Sequence, residues 1–128
     1  AYHQLLSGNA VMASDNVFNI TDVRDTGNSI IELIKMDLST NIVHLVASPP
    51  VSRTEICDWI ISESKIGDQM SYENISYSEL PFKEPRPLKA WLDNNHATKN
   101  LGLKFNSPEK VVREKVNILD RNEKRKKL

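Results

Sequence analysis

Cysteine and glycine are scarce in this chain, and their scarcity excludes several kinds of site. Cys57 is the one cysteine, so no intramolecular disulfide can form and a reducing compartment is favoured. The four glycines stand far apart, at Gly8, Gly27, Gly67 and Gly102. Because a loop that holds phosphates needs closely spaced glycines, the sequence disfavours a nucleotide-dependent enzyme.

Clustered metal ligands and long apolar runs are also missing. His3, His44 and His96 are not paired at helical spacing and none stands near Cys57, whereas a zinc site needs about four clustered ligands. No apolar run approaches the ~20 residues of a membrane helix. The first residues lack the basic end and apolar stretch of a secretory signal. We therefore expect no metal, no cofactor, no membrane partner and no catalysis.

Charge of either sign is not in excess. The 128 residues carry 17 basic and 17 acidic side chains, so affinity for a polyanion would have to come from a local patch. Apolar residues make up 39% and charged residues 27%, which is typical of a globular domain. We predict two parts, a β-rich domain over residues 1–82 and a proline-rich connector with a helical extension over 83–128.

The strongest β pattern lies in residues 30–47. Residues 30–38 read IIELIKMDL, where alternate positions fall on one face, and residues 42–47 read IVHLVA, which is typical of a buried strand. With the polar break Ser39-Thr40-Asn41 between them, they predict a β-hairpin. A helix over 29–38 is the alternative, because its apolar residues also stand at helical spacing. Asp25-Thr26-Gly27-Asn28 before it indicates a turn.

Two helix starts are marked by capping residues. Ser52-Arg53-Thr54-Glu55 matches a capping box, and the predicted helix continues through Trp59 and Ile60 towards a stop near Gly67. Ser107 and Pro108 fit the cap and first position of the last helix. Between them, prolines predict an extended connector, and a short helix is predicted over Leu88–Asn94 with its apolar residues inward. Those prolines are Pro81, Pro85 and Pro87.

Basic and aromatic residues give the candidate binding sites. Arg24, Lys35 and Arg53 lie in or beside the β region, and arginine's forked donors suit phosphate oxygens. We predict these three as a phosphate- or nucleic-acid-binding site. Aromatic residues are favoured anchors in protein interfaces, so a second hypothesis assigns such an interface to three others. They are Tyr72, Tyr77 and Trp91.

Residues 2–67 resemble a Plus-three domain, a module of an RNA polymerase II elongation factor of the Paf complex and of plant SWIB/GYF chromatin proteins. Tyr2 would open a strand of that domain, residues 16–20 would fill its second segment, and residues 31–38 and 42–47 would form its hairpin. Further matches are Ser48, Val51, Glu55 and Trp59. The domain's N-terminal helix and first strand have no counterpart, Val51 replaces an aromatic residue, and only Arg24 keeps a charge in the expected basic turn.

The resemblance implies both a fold and a function. The fold would be α+β, a small twisted antiparallel sheet or partial barrel of Tudor or PAZ type with flanking helices and a C-terminal helix. The function would be a nuclear, non-catalytic module of transcription or chromatin that binds phosphorylated peptide or single-stranded nucleic acid. The alternative is a structural subunit whose sheet a partner protein chain completes.

Overall fold

The computed structural model describes residues 1–38 and 42–127. Within these ranges the chain forms four α-helices and five short strands. The helices are α1 (Tyr2–Leu6), α2 (Val23–Ile34), α3 (Arg53–Glu63) and α4 (Pro108–Lys126). The strands are β1 (Ala10–Ala13), β2 (Val17–Phe18), β3 (Val51–Ser52), β4 (Tyr72–Ile75) and β5 (Lys89–Ala90).

Parallel pairing dominates the strands. β1 runs parallel to β4, with Ala10 opposite Tyr72, and β2 runs parallel to β5, with Val17 opposite Lys89. In the described residues only β2 and β3 pair antiparallel. The predicted antiparallel sheet or barrel is therefore wrong. Parallel neighbours need long connections, and here helices and the proline-rich segment supply them.

The core lies where three helices meet the β1–β4 pair. α1, α3 and α4 each contribute buried apolar residues, and β1 supplies two more. The core residues of these elements are Tyr2, Leu5, Ala10, Met12, Cys57, Ile60, Val112 and Val116. Residues of the predicted C-terminal extension thus pack with residues of the predicted β-rich domain, while a boundary near residue 82 stays a prediction. No helix in the described ranges has the length and apolar character of a membrane span.

A buried carboxylate joins the first and last helices to the loop after α3. Asp120 of α4 is only 9% exposed and accepts hydrogen bonds from the Tyr2 hydroxyl (2.5 Å), the Ser64 hydroxyl (2.7 Å) and the Lys65 amide (2.8 Å). Burial alone would raise the pKa of Asp120, but these hydrogen bonds together lower it. Burial and the bond to Asp120 raise the pKa of Tyr2 to about 12.

The predicted hairpin is wrong, and the helical alternative is closer. The side chain of Asp22 accepts a hydrogen bond from the Arg24 amide (2.8 Å) and caps α2, which includes the predicted turn at residues 25–28. Residues 42–47 join no strand ladder. The pattern of residues 30–34 fits both periods, and the Asp22 cap favours the helix. The predicted break Ser39-Thr40-Asn41 lies outside the described residues.

The capping signals are confirmed. The Ser52 hydroxyl accepts a hydrogen bond from the Glu55 amide (3.2 Å), and the Glu55 carboxylate accepts one from the Ser52 amide (2.7 Å). Ser107 caps α4, which begins at Pro108. α3 ends at Glu63, before the predicted stop, and Gly67 lies in a 3₁₀ turn pressed against α3. A Cβ at Gly67 would stand 2.0 Å from the carbonyl oxygen of Ile61, so only glycine fits there.

The short helix predicted over Leu88–Asn94 is wrong, and an extended course of the proline-rich segment stays a prediction. Residues 81–88 form neither helix nor strand, and β5 follows directly. Leu88, Trp91 and Leu92, predicted to face inward, are 44%, 49% and 49% exposed. Hydrogen bonds from the loop around β2 hold this stretch extended, which overrides its weak helical pattern.

Candidate functional site

The segment of residues 82–92 includes β5, an edge strand of the three-stranded sheet, and carries basic and aromatic side chains. We call it the strap. Its last part pairs with β2 through β5, and loop residues flanking β2 form side-chain hydrogen bonds to Leu88 and Leu92 at the two ends of this part. The sheet thus holds the backbone of residues 88–92, from which exposed side chains project.

Asn16 is the first of two asparagines that position the strap. It is 4% exposed, and its side-chain amide donates a hydrogen bond to the Leu88 carbonyl (3.1 Å). The same carbonyl accepts a hydrogen bond from the Val17 backbone amide (3.1 Å). The Asn16 side-chain oxygen accepts a hydrogen bond from the Nε of Arg53 (3.0 Å), the first residue of α3. The Arg53 guanidinium in turn lies 5.1 Å from the centre of the Phe18 ring.

Asn19 holds the other end of the strap. Its side-chain oxygen accepts a hydrogen bond from the Leu92 backbone amide (2.7 Å), and its Nδ2 donates a hydrogen bond to the Ala47 carbonyl (3.0 Å). Asn94 then donates to the Val46 carbonyl (2.9 Å), so the segments around residues 19, 47 and 92 are tied together. Trp91 lies between these fixed points and remains about half exposed.

The N-terminal half of the strap borders an open cavity of about 420 Å³. The Arg86 guanidinium stacks 4.6 Å from the centre of the Phe82 ring, which packs 5.1 Å from the Tyr77 ring. Lys83 also lines the cavity, as does one carboxylate, Glu84. Among the described residues neither Lys83 nor Lys89 forms an ion pair, so both ammonium groups are available to an anion.

This arrangement suits a ligand that combines a flat ring with negative charge. An exposed indole offers a stacking surface, and guanidinium and ammonium groups on the same segment offer charge-assisted hydrogen bonds to phosphate oxygens. The strap holds no nucleophile with an activating base. In the described ranges no cluster of three or more histidine, cysteine or acidic side chains could hold a metal ion.

The three predicted phosphate-binding residues have separate surroundings. Arg53 meets the strap through Asn16. Arg24, at the start of α2, pairs with Asp22 (2.5 Å) and with Glu114 of α4 (3.1 Å), and Lys35 pairs with Glu32 (3.2 Å). Their binding role stays a prediction, and the structure joins only Arg53 to the strap.

The predicted interface aromatics are also divided. Trp91 is on the strap and Tyr77 beside it, although Tyr77 is only 9% exposed. Tyr72 lies in β4, and its hydroxyl donates to Asp58 (2.8 Å); burial and this bond raise its pKa to about 12. An interface role for these residues stays a prediction, as does a partner protein chain.

Sequence reasoning missed Phe82, Arg86 and Lys89, which share the strap with Trp91. The available signal is the mixture of basic and aromatic residues among prolines in residues 82–91, most of which are predicted as a connector and a short helix. Cys57 is buried in α3, and burial raises the pKa of its thiol to about 11. At neutral pH it is therefore a packing residue.

Comparison with known proteins gives structural likeness alone. No family model matches the chain, and no curated protein matches its sequence. The solved structure of dTDP-4-dehydrorhamnose reductase from Yersinia enterocolitica is similar over 90% of this chain, with 20% identity and a TM-score of 0.69. The NADP complex of that reductase from Bacillus anthracis is similar over 91%, with 19% identity and a TM-score of 0.70.

These matches correct the functional expectations. Both similar structures are reductases, so the resemblance to a Plus-three domain is wrong, and with it the non-catalytic transcription or chromatin module and its DNA or phosphopeptide binding. Both come from bacteria, which have no nucleus, so the nuclear location is wrong too. The chain spans about two fifths of each reductase, and its fold is that of part of such an enzyme, with parallel strand pairs and flanking helices.

Proposed function

We propose that this chain binds the sugar nucleotide in a protein of the reductase type, and that it is the substrate-binding part of that fold. The observation that carries the proposal is the structural likeness to dTDP-4-dehydrorhamnose reductases over nine tenths of the chain. The substrate in that name is a deoxyhexose attached to a thymidine diphosphate. A ligand of this class has a flat base, two phosphates and a sugar.

The residues present do not fit NADP, the other ligand of the Bacillus anthracis structure. Dinucleotide binding of this fold class needs several glycines in one short turn between a strand and a helix. Here Gly8 follows α1, Gly27 lies inside α2, Gly67 is in a 3₁₀ turn and Gly102 in a loop. We therefore assign no step of hydride transfer to this chain.

The strap supplies the chemistry that the sugar nucleotide requires. Arg86, Lys83 and Lys89 place three cations along the strap, enough to neutralise a diphosphate. Trp91 offers its exposed ring to the base, while Asn16 and Asn19 keep the backbone of Leu88 and Leu92 in place. The role that we propose for this chain is to bind and orient the ligand.

Tryptophan fluorescence and calorimetry test the proposal. Titration of the full chain with dTDP-glucose is expected to quench Trp91, and the signal should vanish in Trp91→Phe, which keeps the partly buried Trp59 as reference. Arg86→Ala should weaken binding by roughly 10- to 100-fold, because a charged hydrogen bond contributes about 1.5–3 kcal/mol.

The matched control is Lys124→Ala, which removes an exposed cation from the far end of α4 and should leave binding unchanged. Titration with NADP is expected to show no binding. Absence of dTDP-glucose binding to a folded chain, or equal weakening by Lys124→Ala, would contradict the proposal.

A further inference from the structure

Helix α2 exposes an apolar stripe to solvent. Val23, Ile30 and Ile34 follow each other at helical spacing and are 81%, 47% and 79% exposed. Gly27 continues the stripe between them, and Ile31 beside it is 53% exposed. Scattered exposed apolar residues are ordinary on a protein surface, but a continuous stripe along three turns of one helix marks a contact surface.

The segment after α2 has the composition of a buried strand without a sheet. Residues 43–46 read VHLV, and Val43, Leu45 and Val46 are half-buried. Among the described residues, the backbone groups of Val43, His44 and Leu45 form no hydrogen bond, and the Val46 carbonyl is held only by Asn94. Unpaired backbone in a β-rich segment is an edge to which another strand can add.

The comparison indicates what would cover both features. The matched region accounts for 40% and 41% of the two reductases, so more than half of each lies outside it. One of these reductases is solved with NADP, and this chain has no glycine-rich turn to hold that cofactor. The dinucleotide-binding part of the fold therefore lies in the remainder, and such parts are parallel sheets covered by helices on both faces.

We infer that α2 and residues 43–46 form a docking surface for the dinucleotide-binding domain of a reductase of this type. Residues 43–46 add a strand to the edge of that domain's sheet, and the Val23–Ile30–Ile34 stripe of α2 covers one face of it. A helix at residues 23–34 followed by a strand at residues 43–46 would have the order of the second half of the βαβ unit from which such sheets are built. This inference rests on the proposed function for the nature of the partner.

Co-expression tests the inference. The chain is produced together with the part of the Bacillus anthracis reductase outside the matched region, as a separate tagged chain, and complex formation is measured by co-purification and light scattering. We expect a one-to-one complex with the unaltered chain. Hydrogen exchange should show amides of residues 43–46 at least about tenfold more protected in the complex than in the chain alone.

Two matched substitutions locate the surface. Ile30→Asp should weaken the complex at least about tenfold, whereas Ile118→Asp should not, although Ile118 on α4 is equally exposed (48% against 47%). Circular dichroism and urea unfolding of the reductase part and of each variant alone serve as folding controls, and complex formation is judged only with a folded reductase part. Failure of the unaltered chain to form the complex, or equal binding by Ile30→Asp, would overturn the inference. A dimer of the chain alone that Ile30→Asp abolishes would overturn it in favour of a second copy.

Titrating the same samples with dTDP-glucose separates this inference from the proposed function. Complex formation without sugar-nucleotide binding would contradict the proposed function and support the docking surface. Sugar-nucleotide binding without complex formation would support the proposed function and contradict the docking surface.

Discussion

Helices α2 and α4 are both amphipathic, but only α4 finds a partner for its apolar face within the described chain. Val112 and Val116 of α4 are 9% and 1% exposed and pack with α1 and α3. Val23 and Ile34 of α2 are about four-fifths exposed. On α2 the buried residues are instead polar: Asp25 accepts hydrogen bonds from the backbone and side-chain amides of Asn106 (2.8 and 3.0 Å).

The difference shows that amphipathic spacing predicts a contact face without identifying what covers it. α4 is stabilised by burial of its apolar residues, as most helices in proteins are. α2 is held by its Asp22 cap, by the Asp25–Asn106 hydrogen bonds and by the Arg24–Glu114 ion pair. The two helices should therefore respond in opposite ways to changes in their apolar residues.

The largest effect is expected for Val116→Asp in α4. Val116 is 1% exposed in the centre of the core, so an aspartate there would be a buried charge without a partner. The free energy of unfolding should fall by about 4 kcal/mol or more, enough to unfold a marginally stable domain. Urea denaturation followed by circular dichroism measures it, and an unfolding midpoint equal to that of the unaltered chain would contradict the core assignment.

The next largest effect is expected for Asp120→Asn, which should lower the free energy of unfolding by about 2 kcal/mol at neutral pH. The carboxylate that it replaces accepts three hydrogen bonds in a buried site. The pKa of Asp120 is lower in the folded chain than in the unfolded chain. Its contribution to stability is therefore complete above the unfolded value of ~3.9 and is lost as pH falls through the folded value. Unfolding free energies of variant and unaltered chain should converge in acid, and a gap independent of pH would contradict this account.

Ser107→Ala should lower the free energy of unfolding by about 1 kcal/mol, because it removes the side-chain oxygen that accepts a hydrogen bond from the Lys110 amide at the start of α4. Ser107→Asp, which keeps an acceptor there, is the control and should restore most of the stability. Thermal unfolding provides the measurement, and an equal loss in both variants would show that the cap is not responsible.

The smallest effect is expected for Ile34→Ser in α2. Its free energy of unfolding should stay within about 0.5 kcal/mol of that of the unaltered chain, because Ile34 is 79% exposed. Urea denaturation of the chain alone is the measurement. A loss above 1 kcal/mol would mean that the stripe of α2 is already packed against this chain, and the contrast with α4 would disappear.

Features encoded by a few neighbouring residues could be predicted from the sequence. The Ser52–Glu55 capping box and the Ser107-Pro108 start are local hydrogen-bonding patterns, so α3 and α4 were placed correctly. The absence of helix and strand from residues 81–88 agrees with their prolines, which lack the backbone N–H that helices and central strands need.

Features that depend on distant residues could not be predicted. Residues 42–47 have the composition of a strand, but pairing requires a neighbour, and the described chain places none beside them. Leu88–Asn94 was assigned to a helix because nothing local reveals that Asn16 and Asn19, some 72 positions away, hold it extended. The strap was missed as a candidate site for the same reason, because the sequence does not reveal the contacts that bring Arg86 onto Phe82 and Phe82 beside Tyr77.

The hydrogen bond between Tyr2 and Asp120 joins residues 118 positions apart, and its consequence concerns the rate at which the domain folds. β1 and β4 likewise pair across about sixty residues. Contacts of such long range close large loops before they gain stabilising energy, which places a domain among the slower folders. During synthesis, Leu5 and Met12 must wait for α4 to leave the ribosome before their core can close. Until then their apolar surfaces are available to chaperones.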